Sequence, residues 1–188
     1  MKHTRNQRPV LTTSVATLLA LALGTALHAE PIFGLGAGGT TIRQFDSATP
    51  GTLGAAIPIT GLIGGDALRG IDFRPATTQL YGVSGGNRLY TISLAGGTAV
   101  ATQVGADGAF TISGANLGVD FNPVPDRLRV VSNLDQNLRL NPNNGTLAAT
   151  DTTLAYAVGD ANAAANPNAV AVAYTNNFAG TTTARTSP

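Results

Sequence analysis

Hydrophobic and polar residues alternate in short runs after about residue 30, and this period of two predicts β-strands. In the segment Arg127 to Val131, Leu128 and Val130 fall on one face, while Arg127, Arg129 and Val131 fall on the other. Gly, Pro, Asn and Asp residues separate the runs and supply turn chemistry. No long segment has the spacing of an amphipathic helix. The pattern therefore predicts an all-β chain of short antiparallel strands.

The strand pattern recurs along the chain. Segment 118–150 matches segment 70–102 at 11 of 33 positions without a gap, including the opening Gly-x-Asp-Phe-x-Pro. Residues 70 and 118 are 48 positions apart, and we call this spacing the repeat interval. Each copy contains four strand-like runs, and repeats of roughly 40 to 50 residues with several short strands are typical of β-propeller blades. We therefore predict repeated four-stranded antiparallel blades of about 48 residues, which form a partial, open propeller-like arc.

The two copies also predict which side chains form the core. Leu80 and Leu128 occupy the same position of the repeat, and so do Phe73 and Phe121. Each is an apolar residue in a strand-like run, so we expect all four to be buried.

The N-terminal residues 1–29 have the pattern of a signal peptide. A basic start precedes an apolar run over residues 11–27, and small residues at Ala26 and Ala29 offer two cleavage positions. This predicts export to the periplasm or the extracellular space. No second apolar run follows, so no membrane span is expected after cleavage.

The repeats also predict the domain organisation. They fill a domain over residues 30–180, and an unstructured tail follows at 181–188. Two whole repeats and a partial repeat at each end fit this length; the whole repeats are 70–117 and 118–165. An arc of this kind has unpaired strand edges, which favour self-association.

Composition limits the chemistry of the exported part. From Glu30 onward the chain has eight Arg against ten Asp and Glu residues, no Lys, no Cys and no His. Without a basic surface, we do not expect nucleic-acid binding. Without Cys or His, the Ser-His, Cys-His and histidine-metal designs are absent, and no catalytic residue is predicted.

One short motif suggests a metal. Asn133, Asp135 and Asn137 have the alternating oxygen ligands that open a calcium loop. Leu138 and Asn144 stand where such a loop carries its Gly and its final Glu. A hairpin turn explains the motif equally well. Calcium is thus the one cofactor that the sequence leaves open.

Arg127, Arg129 and Arg139 form the one local basic cluster in the repeats. Planar guanidinium groups suit carboxylates, so this cluster is a candidate site for a carboxylate or an acidic sugar. The alternative is a solvated sheet face on which the arginines pair with Asp126 and Asp135.

Asp72 and Asp120 recur at the same position of the two repeats, just before Phe-x-Pro. They could form a ring of carboxylates for a metal or a sugar. Alternatively, each carboxylate accepts backbone N–H groups beside its turn. Repetition favours the structural role, because a binding site usually breaks the symmetry of its repeats.

Several phrases carry a resemblance to a known family: GIDFRPATTQLYGVSGGNRLYTI, DFNPVPDRLRVVSNLDQNLRLNPNNG, YAVGDANAAANPN and AYTNNFAG. Over residues 31–180 the chain resembles the bacterial family called domain of unknown function 4394. The resemblance implies an exported, β-rich, propeller-like protein with no established activity, so it assigns no site residue. The chain departs from the family after the third copy begins, as expected of a C-terminally truncated product.

These features favour an exported, non-catalytic binding or scaffold module whose partner is an unidentified protein or glycan. Two alternatives stay open. One is a lactonase-like propeller hydrolase with an oxygen-bound metal, and the other is a purely structural surface protein.

Overall fold

The computed structural model describes residues 29–187, which form an all-β protein, as the sequence predicts. The signal-peptide prediction concerns residues 1–29 and so lies almost wholly outside the described residues. The strands are β1 Pro31–Leu35, β2 Thr41–Asp46, β3 Ile57–Thr60, β4 Leu68–Arg74, β5 Gln79–Ser84, β6 Leu89–Ser93, β7 Ala99–Val104, β8 Leu117–Asn122, β9 Arg127–Ser132, β10 Asn137–Leu140, β11 Leu147–Thr150, β12 Ala173–Tyr174 and β13 Thr186–Ser187. One 3-10 turn spans Ile63–Gly65. None of the described residues belongs to a helix of the length and apolarity that a bilayer crossing requires.

Two groups of four consecutive strands form antiparallel meanders. We call β4–β7 the second unit and β8–β11 the third unit; each pairs its strands in chain order. Their hairpins use residues that tolerate a positive φ: Asn87 and Asp135 both have φ of 62°, and Gly97 and Gly145 have φ of 75° and 72°. The turn residues thus determine where each strand ends and where the chain reverses.

Strands β1–β3, here called the first unit, form a shorter antiparallel group. Its last strand, β3, pairs in parallel with β7 through Ile59 opposite Ala99 and Thr60 opposite Val100. The first and second units therefore share one seven-stranded sheet, in the order β1-β2-β3-β7-β6-β5-β4. The prediction of four-stranded blades did not include this parallel pairing, because it assigns each repeat to a separate sheet.

The core lies between successive units, because alternate residues of the second unit point to opposite faces. One face packs against the first unit, and this cluster includes Ile42, Ile59, Leu68, Leu80, Tyr90 and Ile92. The other face packs against the third unit, and this cluster includes Tyr81, Val83, Leu89, Phe121, Leu128 and Leu140. The second unit is therefore covered on both faces.

Three of the four core predictions are confirmed. Leu80, Phe121 and Leu128 are at most 2% exposed. The prediction for Phe73 is wrong, since this ring is 37% exposed. Phe121 lies inside the cluster between the second and third units, whereas Phe73 lies near the unpaired edge of β1, where Phe33 packs against it.

The chain after β11 contains few strands. Residues 151–172 have no regular secondary structure, and β12 then pairs with β13 at Ala173 opposite Ser187 and Tyr174 opposite Thr186. The predicted tail 181–188 thus contributes one short strand. Strand β12 lies against β8, the first strand of the third unit.

Candidate functional site

The first strands of successive units lie side by side and are joined by the recurring aspartates. Asp72 Oδ2 accepts a hydrogen bond from the Phe121 backbone N at 2.7 Å, and Asp120 Oδ2 accepts one from the Tyr174 backbone N at 2.8 Å. The structural interpretation of the sequence predicts that each aspartate accepts backbone N–H groups beside its own turn. Instead each one satisfies an N–H of the next strand, which links β4 to β8 and β8 to β12.

The glycine two positions before each aspartate allows this close approach. A Cβ on Gly70 would lie 2.4 Å from Val119 Cγ2, and a Cβ on Gly118 would lie 2.6 Å from the backbone of Ala171. A side chain at either position would force the neighbouring strand away. The Gly-x-Asp motif is therefore explained by strand-to-strand packing.

Asp72 and Asp120 also lie close enough for the charge of Asp72 to act on the Asp120 carboxyl. Burial raises the pKa of both groups, and the nearby Asp72 charge contributes to raising the pKa of Asp120 to about 7. The Asp120 carboxyl therefore keeps its proton to a higher pH than an exposed aspartate does.

Aromatic pairs fill the contact between one unit and the next. Phe33 and Phe73 meet edge to face with ring centroids 5.4 Å apart, and Tyr81 and Phe121 do so at 5.2 Å. Tyr81 lies one repeat interval after Phe33, and Phe121 lies one repeat interval after Phe73. The same packing therefore occurs twice.

At the next contact the aromatic residue is replaced by an arginine. Arg129 lies one repeat interval after Tyr81, and its guanidinium lies over the Tyr174 ring at 6.0 Å from the centroid. Arg129 Nε donates to Tyr174 Oη, and Nη1 donates to Asn137 Oδ1. Nη1 also lies 3.0 Å from Asp151 Oδ2. A cation thus occupies the position where the preceding contacts have rings.

Arg139 joins this cluster from the neighbouring strand. It lies directly opposite Arg129 in the β9–β10 ladder, and it binds Asp151 through Nε at 2.8 Å and Nη2 at 2.7 Å. This pairing raises the pKa of Arg139 and lowers that of Asp151. Two guanidinium groups share one carboxylate, so the cluster carries a net charge of about +1.

The third predicted arginine lies apart from this cluster. Arg127 Nη1 donates to the carbonyl oxygens of Pro125 and Asp126, at 3.2 and 2.8 Å. The Asp126 carboxylate, which sequence reasoning offered as a partner for the cluster, binds Arg74 instead. The structure therefore brings together Arg129 and Arg139, and leaves Arg127 on its own turn.

Asp151 was missed as their partner, although a signal existed. Asp151 follows β11 directly, and its backbone N donates to Asn137 O at 2.8 Å. Pairing β10 with β11 in the predicted meander would have placed Asp151 beside Asn137. It would also have shown that the arginines have a counter-ion from a third strand.

The Arg129 cluster lies at one side of a pocket of about 630 Å³ between the third unit and the irregular segment 151–172. Its polar lining is Arg129, Asn137, Asp151 and Thr186. The remaining lining is mostly apolar: Val131, Leu154, Ala155, Tyr156, Pro167, Ala169, Ala171 and Val172. A few polar groups in a concave apolar wall are typical of small-molecule and sugar sites. Sequence reasoning missed most of the apolar wall, since residues 151–169 have no strand pattern.

The predicted calcium ligands do not form an open oxygen cage. Asn133 Oδ1 accepts hydrogen bonds from the backbone N atoms of residues 115–116, both at 3.0 Å. Asn137 Oδ1 is bound by Arg129. Asp135 Oδ1 is buried and has no hydrogen-bond partner within the described residues. A calcium ion would have to displace existing donors, so the three residues do not fit that metal as they stand. Among residues 29–187, no group of three or more His, Cys, Asp and Glu side chains is placed to hold a metal ion.

The chain belongs to the family described as Domain of unknown function (DUF4394), whose model matches residues 41–187. This confirms the family resemblance drawn from the sequence. No curated protein and no solved structure matches the chain. The family description names no activity, so function has to be inferred from the site.

Proposed function

We propose that this chain is an exported, non-catalytic binding module that holds an acidic ligand in the pocket beside Arg129. The basic start and apolar run of the N-terminus support export. The units of the structure support a propeller-like arrangement of blades. The pocket itself carries the binding proposal.

The blade interpretation rests on contacts that recur between units. The second and third units are four-stranded meanders, and each first strand is tied to the next through Gly-x-Asp. The edge-to-face aromatic pairs recur at the same repeat interval as the sequence. The first unit then corresponds to a blade without its first strand, and β12 corresponds to the first strand of a further blade.

The observation that carries the binding proposal is a break in this symmetry. Arg129 replaces the aromatic residue of the preceding contacts, and Asn137 lies one repeat interval after the buried Leu89. Arg129 and Asn137 therefore bring polar groups to the pocket at positions where the preceding repeat has an aromatic and an apolar residue. Polar groups introduced at one repeat alone are expected of a binding site and not of a scaffold.

The charge of the cluster indicates the class of ligand. Arg129 and Arg139 share Asp151, which leaves one guanidinium charge without a counter-ion in the cluster. A planar carboxylate suits that guanidinium, and the apolar wall suits the faces of a sugar ring. We therefore propose a glycan that carries a uronic acid as the ligand.

Calorimetric titration tests this proposal with oligogalacturonate and with a neutral glucose oligomer of equal length. We expect the acidic oligomer to bind, and Arg129→Ala to weaken its affinity at least about tenfold, because Arg129 is the guanidinium that lines the pocket. Arg127→Ala is the matched control, since Arg127 contacts its own turn.

Equal binding of the neutral oligomer, or equal losses from Arg127→Ala and Arg129→Ala, would contradict an acidic-ligand site. A purely structural protein would bind neither oligomer.

A further inference from the structure

Strand β1 has an unpaired edge. It is the last strand of the seven-stranded sheet and pairs with β2 on one side, and no strand within residues 29–187 pairs with its other side. Strands β5 and β9, which occupy the corresponding positions of the second and third units, have both sides paired. Their additional partners are β4 and β8.

The contact with the second unit places β1 in the same way that β5 is placed against the third unit. The Phe33–Phe73 centroid distance of 5.4 Å is close to the 5.2 Å of Tyr81–Phe121. The free edge of β1 therefore corresponds to the edge of β5 that pairs with β4.

Apolar side chains at this edge are exposed where their counterparts are buried. Ile32 is 40% exposed, and Leu80, one repeat interval further on, is 2% exposed. Phe73 is 37% exposed and Phe121 is fully buried. A strand added beside β1 would cover the exposed pair.

The other end of the chain presents a strand that lacks a full partner. Residues 170–175 continue the series of first strands, because Ala171 packs on Gly118 and the Tyr174 N–H binds Asp120. Strands β4 and β8 pair along the full length of β5 and β9, whereas the one strand of the described residues that pairs with β12 is the short strand β13. Val170 and Phe178 beside it are exposed.

We propose that β12 of one copy of this chain pairs with the free edge of β1 in a second copy, so that the copies associate head to tail. Within residues 29–187, the first unit has a second strand without a first strand, and β12 is a first strand without a full second strand. The two ends are therefore complementary halves of one four-stranded sheet. A head-to-tail contact of this kind is heterologous and produces open chains or rings of copies.

The register follows from the existing ladders. Asp72 lies opposite Tyr81, and Phe73 lies opposite Leu80. By the same pairing, Ala173 of one copy lies opposite Phe33 of the next, and Tyr174 lies opposite Ile32. Release of the short strand β13 exposes the edge that forms this ladder.

Cysteine cross-linking tests the register, and the chain contains no native Cys to interfere. Full-length Phe33→Cys and Ala173→Cys variants are purified separately, mixed and oxidised. We expect a mixed disulfide-linked dimer that neither variant forms alone. Ile32→Cys mixed with Ala173→Cys is the matched control, and it should give roughly tenfold less dimer because its side chain points to the other sheet face.

Light scattering on the unaltered chain provides a second measurement that does not depend on the variants. We expect its average mass to rise with concentration. A monomeric chain that gives no mixed dimer would overturn the proposal. So would a Phe33→Cys/Ala173→Cys double variant that forms its disulfide within one monomer, because the chain would then close on itself.

Discussion

At the scale of single residues, the Asp72–Asp120 pair links strand packing to pH. Each carboxylate accepts a backbone N–H of the next strand. Burial and the nearby charge of Asp72 both oppose ionisation of Asp120, so its pKa is raised and it keeps its proton to near neutral pH. The same motif that joins the strands therefore makes their junction sensitive to pH.

The raised pKa of Asp120 predicts the direction of the stability change with pH. The pKa is about 7 in the folded protein, whereas an Asp in the unfolded chain has a pKa of about 3.9. Between these values the folded protein binds more protons, so its stability should fall as pH rises from about 4 to 7 and level off above 7. Thermal unfolding at a series of pH values measures this slope.

Asp120→Asn should flatten that slope, because the amide cannot ionise and its oxygen can still accept from Tyr174 N. Asp160→Asn is the control, since Asp160 lies in an exposed loop. The lowered pKa values of Asp66, Asp107 and Asp151 act below about pH 4, where protonation removes their stabilisation. An unchanged slope in Asp120→Asn would show that the titrating group lies elsewhere.

Asp66 organises a second polar network, at the start of the second unit. Its carboxylate accepts from Ser84 Oγ at 2.5 Å, Gly86 N at 2.9 Å and Tyr90 Oη at 3.1 Å. Arg88 Nη1 lies 3.3 Å away, and the Asp66 side chain is only 5% exposed. Burial by itself would raise the pKa of Asp66, but the hydrogen bonds together outweigh it and lower that pKa.

Asp66→Ala should lower the free energy of unfolding by at least about 2 kcal/mol, because buried donors from Ser84 and Tyr90 lose their acceptor. Asp46→Ala serves as the control and should stay within about 1 kcal/mol of the parent, since Asp46 is exposed and caps only a local turn. Denaturant unfolding measures both. Equal losses in the two variants would show that the network adds no stability.

At the scale of strands and sheets, the local sequence pattern predicted the hairpins but not the pairing of strands that lie far apart in the chain. Alternation and turn residues such as Asn87 and Asp135 located the hairpins of the second and third units. The parallel pairing of β3 with β7 was missed, because Ile59 and Ala99 lie far apart in the chain and neither segment signals the other. The burial of Phe73 was mispredicted for a related reason: repeat position indicates a residue type, whereas burial depends on which unit lies next to it.

The two phenylalanines should therefore differ in their contribution to stability. Phe121→Ala should cost about 3–5 kcal/mol, because Phe121 is fully buried between two units. Phe73→Ala should cost less than about 2 kcal/mol, since its ring is partly in solvent before the substitution. Chemical denaturation at a protein concentration low enough for separate copies compares them directly. Equal losses at that concentration would contradict the exposed position of Phe73.

At the scale of the whole molecule, the candidate site lies at the contact where Arg129 replaces the aromatic residue of the two preceding contacts between units. Sequence reasoning found Arg129 and Arg139 because they stand together on neighbouring strands. It grouped Arg127 with them, since alternation gives the face of a side chain but does not show that Arg127 is held by the carbonyl oxygens of its own turn. It did not find Tyr174, which reaches the cluster from β12, and it missed Asp151, which the pairing of β10 with β11 would have placed there.

Arg129 stands where the preceding repeats have an aromatic ring, and we propose that it serves to bind the ligand. The Arg129→Tyr variant tests this most directly. The variant restores the aromatic pair seen in Tyr81–Phe121, with Tyr174 as partner, and Asp151 keeps Arg139. We predict a free energy of unfolding within about 1 kcal/mol of the parent. Affinity for the acidic oligomer should fall at least about tenfold.

Calorimetric titration and denaturant unfolding on the same Arg129→Tyr preparation give both quantities. A stable variant that has lost its ligand would show that Arg129 is present for binding. A variant that loses several kcal/mol and still binds the oligomer would contradict the account, because Arg129 would then hold the third unit to β12 without serving as a ligand site.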